Sequence, residues 1–176
     1  MPTPVLILPG IGNSSPQHWQ SLWEQANPDF VRVQQRDWDH PVCDEWVAGI
    51  EKAVQEAGPG VVLVAHSLGC LAIAHWAANK HFPIRGALLV AVPDPTAPDW
   101  PKEIAGFSQT PVQPFDFPSI VVASTNDTYG TLAHAATLAK HWGSTLVNIG
   151  GRGHINGESG LGDWPEGFAL LDRLRN

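Results

Sequence analysis

Cysteine is scarce. Cys43 and Cys70 are the two cysteines in 176 residues, too few for a disulfide framework, so packing has to hold the chain together. Basic charge is also short. Ten Lys and Arg against 17 Asp and Glu leave a formal charge of −7 and a pI near 5.5. No basic excess exists to neutralise phosphates, which excludes nucleic acid and anionic membrane as main partners. No apolar run is long enough to cross a bilayer. No basic segment and small-residue cleavage site separate Met1 from the apolar run at 5–8. These absences predict a soluble cytoplasmic protein. Metal-ligand spacings such as H-E-x-x-H are missing too. So are the G-x-G-x-x-G and G-x-x-x-x-G-K-[ST] patterns of nucleotide sites. No metal and no cofactor are expected.

What the chain does have is core. Hydrophobic residues make up 43% and charged ones 15%, enough to bury one sizeable domain over residues 1–176. Eight tryptophans are many for this length, and for any one of them core packing is the default role.

Short β-branched runs recur at 5–8, 30–33, 61–65, 87–92, 120–124 and 145–149. Most lack polar alternation, as parallel strands covered on both faces do. Segments of helical spacing fall between and after them, at 17–26, 44–57, 68–79, 131–142 and 164–174. Asp163 is the expected N-cap of the last, with Pro165 in its first turn. Repeated βα units predict a parallel sheet with right-handed crossovers. The order expected is 2-1-3-4-5-6, with helices on both faces. Residues 93–118 break the rhythm with prolines at 93, 95, 98, 101, 111, 114 and 118. This segment follows the fourth strand, on the side where open parallel sheets form their ligand crevice. Either it borders a site, with Trp100, Phe107 or Phe115 contributing, or it is a surface connection pinned by those aromatics.

Ala65-His66-Ser67-Leu68-Gly69 lies where an apolar strand turns into a helix. It is a G-x-S-x-G pattern with alanine in the first place. Small residues two before and two after a serine let strand and helix approach while the serine takes a strained turn. Its hydroxyl is then pushed out, and the Leu68 N–H faces a developing oxyanion from a helix N-terminus. A serine needs a base. His154 follows the last strand in a loop carrying Gly150, Gly151 and Gly153, suited to presenting one side chain in a fixed direction. His66 adjoins the serine and should point away from it. His75, His81, His134 and His141 belong to helices, whereas His18 and His40 fall near early strand ends and could line a pocket. The base in turn needs an acid. Asp127, after the fifth strand, gives the chain order Ser, Asp, His of α/β-hydrolases. Asp94, after the fourth strand, is the rival, with a turn in Pro93-Asp94-Pro95 as its plain alternative. A second oxyanion donor is expected in the loop Leu8-Pro9-Gly10-Ile11-Gly12, first at Ile11 and then at Gly12.

The stretches LPGIGNSSPQHWQSLWE, VLVAHSLGCLA, STNDTYG and GRGHINGESGLGDWPEG together resemble the small serine hydrolases that include bacterial YdeN and the retinoblastoma-binding protein nine group. The resemblance implies a compact α/β-hydrolase fold without the usual first two antiparallel strands and without a large lid. It implies the same triad, Ser67, Asp127 and His154. Ala65 departs from the first glycine of the motif. The expected activity is hydrolysis of small or short-acyl esters. A peptidase or acyltransferase on the same scaffold, or an interaction module that keeps the fold, are the alternatives. The expected partner is a small ester or amide substrate, with His18 or Trp19 lining its acyl or leaving-group side.

Overall fold

The computed structural model describes residues 3–79 and 82–176. Its elements are β1 (Val5–Leu8), α1 (Trp19–Ala26), β2 (Phe30–Arg32), α2 (Cys43–Ala57), β3 (Val62–His66) and α3 (Leu68–Asn79). They continue with β4 (Gly86–Val90), β5 (Ser119–Ala123), α4 (Leu132–Trp142), β6 (Thr145–Asn148) and α5 (Pro165–Arg175). A short 3-10 turn, Gly157–Ser159, precedes α5. The strands form one six-stranded sheet in the order β2-β1-β3-β4-β5-β6, with every pair parallel. This is the topology predicted from the strand–helix rhythm. The order reverses beside β1, so the loops leaving β1 and β3 diverge and open a crevice at the carboxyl ends of the strands.

Strand alternation divides the core in two. Leu6, Leu8, Leu63, Ala65, Leu89 and Val121 face α2, α3 and α4, where Trp46, Ile50, Leu71 and Trp142 meet them. Val5, Ile7, Val62, Val64, Leu88 and Val122 face α1 and α5, against Trp19, Trp23 and Leu171. With apolar residues on both faces, β1, β3, β4 and β5 are buried throughout. α3 is buried from Leu68 to Ala74 and again at Trp76, as its nearly all-round apolar sequence requires. Trp19, Trp23, Trp46, Trp76, Trp142 and Trp164 are core residues.

The start of α5 differs from expectation. Trp164, not Asp163, is the N-cap, in the left-handed region at φ 44°. Burial of its ring decides this. Trp164 packs against Trp19 at 5.1 Å and Trp23 at 6.0 Å, while the Asp163 carbonyl accepts from Trp23 Nε1 at 2.6 Å. Within residues 93–118, Phe107 is fully buried. Phe115 stacks on Phe117 and Trp142. Both pin the segment to the core. His81 lies outside the described residues.

The close approach of α3 to β1 is testable. A Cβ on Gly69 would stand 2.5 Å from the Leu8 carbonyl oxygen and 2.9 Å from that of Pro9. Helix propensity alone would make Gly69→Ala stabilising by about 1 kcal/mol. Two backbone oxygens cannot swing aside, so the variant should instead lose about 1–3 kcal/mol. Urea denaturation measures this, and a gain in stability would contradict the packing.

Candidate active site

Ser67 occupies the one-residue junction between β3 and α3 at φ 53°. A non-glycine residue there is strained by about 1–2 kcal/mol. The turn is held by Ser67 N–H donating to Val90 O at 2.9 Å and by Cys70 N–H donating to Ser67 O at 2.9 Å. Ala65 is fully buried at the sheet side, which explains a small residue there. Gly10 presses on the other side: a Cβ on it would lie 3.0 Å from Ser67 Cβ and 3.3 Å from Leu68 N.

From Ser67 a hydrogen-bonded chain runs inward. Ser67 Oγ lies 2.8 Å from His154 Nε2. His154 Nδ1 lies 2.9 Å from both Asp127 Oδ1 and Oδ2. The carboxylate can only accept, so Nδ1 carries the proton and Nε2 is left to take one from the serine. Asp127 also accepts from Tyr129 N–H at 2.9 Å, and its side chain is 1% exposed. Asp94 does not join this chain. Its Oδ1 accepts from Thr96 N–H at 2.9 Å and Thr96 Oγ1 at 2.7 Å, a closed side-chain turn. The Thr96 bonds lower its pKa, against the opposing effect of burial.

The His154 loop is fixed from several elements. Asn126 Oδ1 accepts from Gly153 N–H at 2.7 Å, and Ser124 Oγ accepts from Arg152 N–H at 2.9 Å. Trp19 Nε1 donates to Ile155 O at 2.8 Å. His66 Nε2 donates to His154 O at 2.8 Å. Gly150 and Gly153 have φ of 74° and 57°, which only glycine adopts without strain. His66 thus points away from the serine hydroxyl but anchors the backbone of the residue beside it. Neither this contact nor the Asn126 anchor is readable from local spacing. Tyr129, whose ring centroid lies 4.6 Å from that of His154, was likewise not singled out; its neighbour Asp127 in the same turn is the signal.

His18 is buried at 4% exposure. It caps α1 through Nδ1, which accepts from Gln20 N–H at 3.1 Å. Burial first, then the charge of Arg32, pushes its pKa down from 6.5 to about 4. His66 is pushed well below its ordinary value, chiefly by burial. His40 is exposed beside Asp37 and is not part of the cavity wall at Ser67. His134 donates from Nε2 to Pro93 O at 3.1 Å, His75 packs on Phe107, and His141 is exposed. The cysteines offer no rival nucleophile: both are buried, and burial raises the Cys43 thiol to about 11 and Cys70 further.

A cavity of about 310 Å³ opens above Ser67 and His154. Asn13, His18, His66 and Asn156 contribute to its wall, as do Ala97, Trp100, Pro101 and Ile104 from the proline-rich segment. That segment therefore borders the site through its first half, and Trp100 is its aromatic contribution. Trp19 lies behind His18 in the core. Leu68 begins α3, so its N–H has no intrahelical acceptor. Ile11 lines the cavity. Gly12, expected as the second choice of donor, is not free for a substrate oxygen, because its N–H donates to Trp38 O at 2.8 Å. Among the described residues, no group of three or more His, Cys, Asp or Glu is arranged to hold a metal ion. No helix among them is long and apolar enough to cross a membrane.

The parallel sheet, the strand-to-helix turn at Ser67 and the late histidine loop define an α/β-hydrolase fold. The serine hydrolase family model matches residues 5–173, and the chain belongs to that family. It is similar to a YdeN-like hydrolase from Pectobacterium atrosepticum, at 32% identity over 99% of this chain and 91% of the other, with a TM-score of 0.87. The ydeN product of B. subtilis is similar at 23% identity over 98% of both chains, with a TM-score of 0.81. A thermophilic esterase from Thermogutta terrifontis shares the fold at 15% identity, covering 99% of this chain and 91% of the other, with a TM-score of 0.70. No curated protein sequence matches significantly.

The histidine buried beside the site has a pH signature. Between pH 6.5 and about 4 the unfolded chain protonates at His18 while the folded chain does not. Its contribution to stability is therefore whole above 6.5 and lost as pH falls through that window. Imidazole ¹H–¹⁵N NMR should show His18 as the Nε2–H tautomer with no titration until pH approaches 4. Titration near 6.5 would contradict the burial.

Proposed function

We propose that this serine hydrolase is a carboxylesterase that cleaves small or short-acyl esters through an acyl-enzyme on Ser67. The observation that carries the reading is the unbroken hydrogen-bonded chain from Ser67 Oγ through His154 to both oxygens of Asp127. In this mechanism His154 Nε2 takes the hydroxyl proton as Oγ attacks the ester carbon. The Leu68 and Ile11 N–H groups hold the oxyanion. His154 then returns the proton to the departing alcohol oxygen, leaving the acyl group on Ser67. Water enters, loses a proton to the same nitrogen, and releases the acid. Asp127 keeps the imidazole in the productive tautomer and stabilises its charged form. No step calls for a cofactor. The modest cavity, with its apolar Trp100 and Ile104, suits a short acyl chain.

A fluorophosphonate probe should label the wild type and not Ser67→Ala. Equal labelling would remove Ser67 as nucleophile. Across p-nitrophenyl esters of rising chain length, kcat/KM should peak at short acyl groups; a maximum at long chains refutes the short-acyl assignment.

Asp127→Asn should lower kcat on the order of 10³–10⁴-fold with the fold intact, since an amide favours the wrong imidazole tautomer. Asp94→Asn keeps the side-chain oxygen its turn needs and should change kcat by less than about tenfold. The reverse ranking would move the acid to the fourth strand.

A further inference from the structure

His18 has a property that its capping role does not use. Its Nδ1 accepts a backbone N–H, so in the neutral ring the proton sits on Nε2. That Nε2–H is buried and has no partner among the described residues. The ring forms part of the cavity wall. Buried donors are normally satisfied, and an unmade one is a standing cost. Two neighbours on the wall are constrained the same way. Asn13 Oδ1 accepts from Ser14 N–H at 2.8 Å and Arg32 Nη1 at 2.9 Å. Asn156 Oδ1 accepts from Glu158 N–H at 3.1 Å. With Asn13 Oδ1 filled by two donors and Asn156 Oδ1 holding one, donors predominate in what the three side chains have left.

The position of this donor relative to the reaction follows from the proton path. The departing alcohol takes its proton from His154 Nε2, so the leaving group lies alongside His154. His18 and His154 line the same cavity with His66 between them: the His18 ring is 4.6 Å from that of His66, which is 4.9 Å from that of His154. Asn156 follows His154 by two residues. The apolar residues Ala97, Trp100 and Ile104 belong to a different stretch of the wall and suit the acyl chain.

We infer that His18 Nε2–H is a specificity-determining donor that binds an acceptor oxygen on the leaving alcohol, close to the ester oxygen. This rests on the esterase reading. The preferred substrates are then short-acyl esters of oxygenated alcohols, such as hydroxyalkyl or alkoxyalkyl esters, over esters of plain alkanols. Neutrality at working pH, from the burial that lowers the His18 pKa, suits it to an uncharged oxygen.

The test compares 2-methoxyethyl butyrate with n-butyl butyrate. The two have equal chain length and differ by one oxygen for one methylene. Their kcat/KM ratio is divided by the ratio of their alkaline hydrolysis rates, which removes intrinsic reactivity. The wild type should favour the methoxyethyl ester by about tenfold, the effect of one neutral hydrogen bond. In His18→Ser, which retains a capping hydroxyl, the corrected ratio should fall to about one. A purely structural His18 would leave that ratio unmoved, and this outcome overturns the inference. So does a wild-type ratio near one, which decides the matter even if the serine variant does not fold. Both of those outcomes leave the esterase reading standing. Absence of any Ser67-dependent turnover of both butyrates would overturn that reading, and the inference with it.

Discussion

The backbone of the loop leaving β1 runs within contact distance of the turn that carries Ser67, and the rest of the site follows from that closeness. A Cβ on Gly69 would press on the carbonyls of Leu8 and Pro9, and one on Gly10 would press on Ser67. Neither position has room for a methyl group without a shift. The approach brings the Ile11 segment beside the N-terminus of α3. The two oxyanion donors proposed above, one on the loop after β1 and one at the start of α3, are backbone groups and commit no side chain. The strain at Ser67, at φ 53°, persists because neighbours on both sides leave the turn no alternative.

The histidine loop poses the opposite problem. It has little apolar burial of its own and is held by polar contacts from elsewhere. Trp19, His66, Ser124 and Asn126 each bond to its backbone. Gln20, fully buried, bonds the carbonyls of Leu8 and Val64 through Nε2 while accepting from Ser14 Oγ. One amide thus ties the first loop, β3 and α1 together. Each such bond contributes about 1 kcal/mol, but a broken one would strand a buried group at greater cost. The result is an imidazole whose position is set by three other segments of chain: α1, the end of β3 and the loop after β5.

This division explains what was legible in the sequence. Strand order and helix placement came through because apolar periodicity is a local signal, and Val62–His66 running into Leu68 shows both a strand and its abrupt end. Ser67, Asp127 and His154 stand directly after strands in small-residue or polar turns, so topology alone brings them to one edge. The N-cap of α5 was misplaced because the burial of Trp164 among Trp19 and Trp23 is a tertiary preference with no local sign. Gly12, the second choice after Ile11, has its N–H taken by Trp38 O, on a residue from beyond β2 that nothing local connects to this loop. His66 read as a bystander because its partner is a backbone carbonyl 88 positions away. The aromatic count was ambiguous in the same way, since only the fold separates Trp100 at the cavity from Phe107 in the core.

The central claim is that Ser67 Oγ attacks a carbonyl whose oxygen is received by the Leu68 and Ile11 N–H groups. A crystal structure of the protein inactivated by a short-chain alkyl phosphonate tests it most directly. Phosphorus should be bonded to Ser67 Oγ, with one phosphonyl oxygen about 3 Å from both backbone nitrogens and the alkyl chain toward Trp100. An adduct on another residue, or on Ser67 with its oxygen turned away from both nitrogens, would contradict the account.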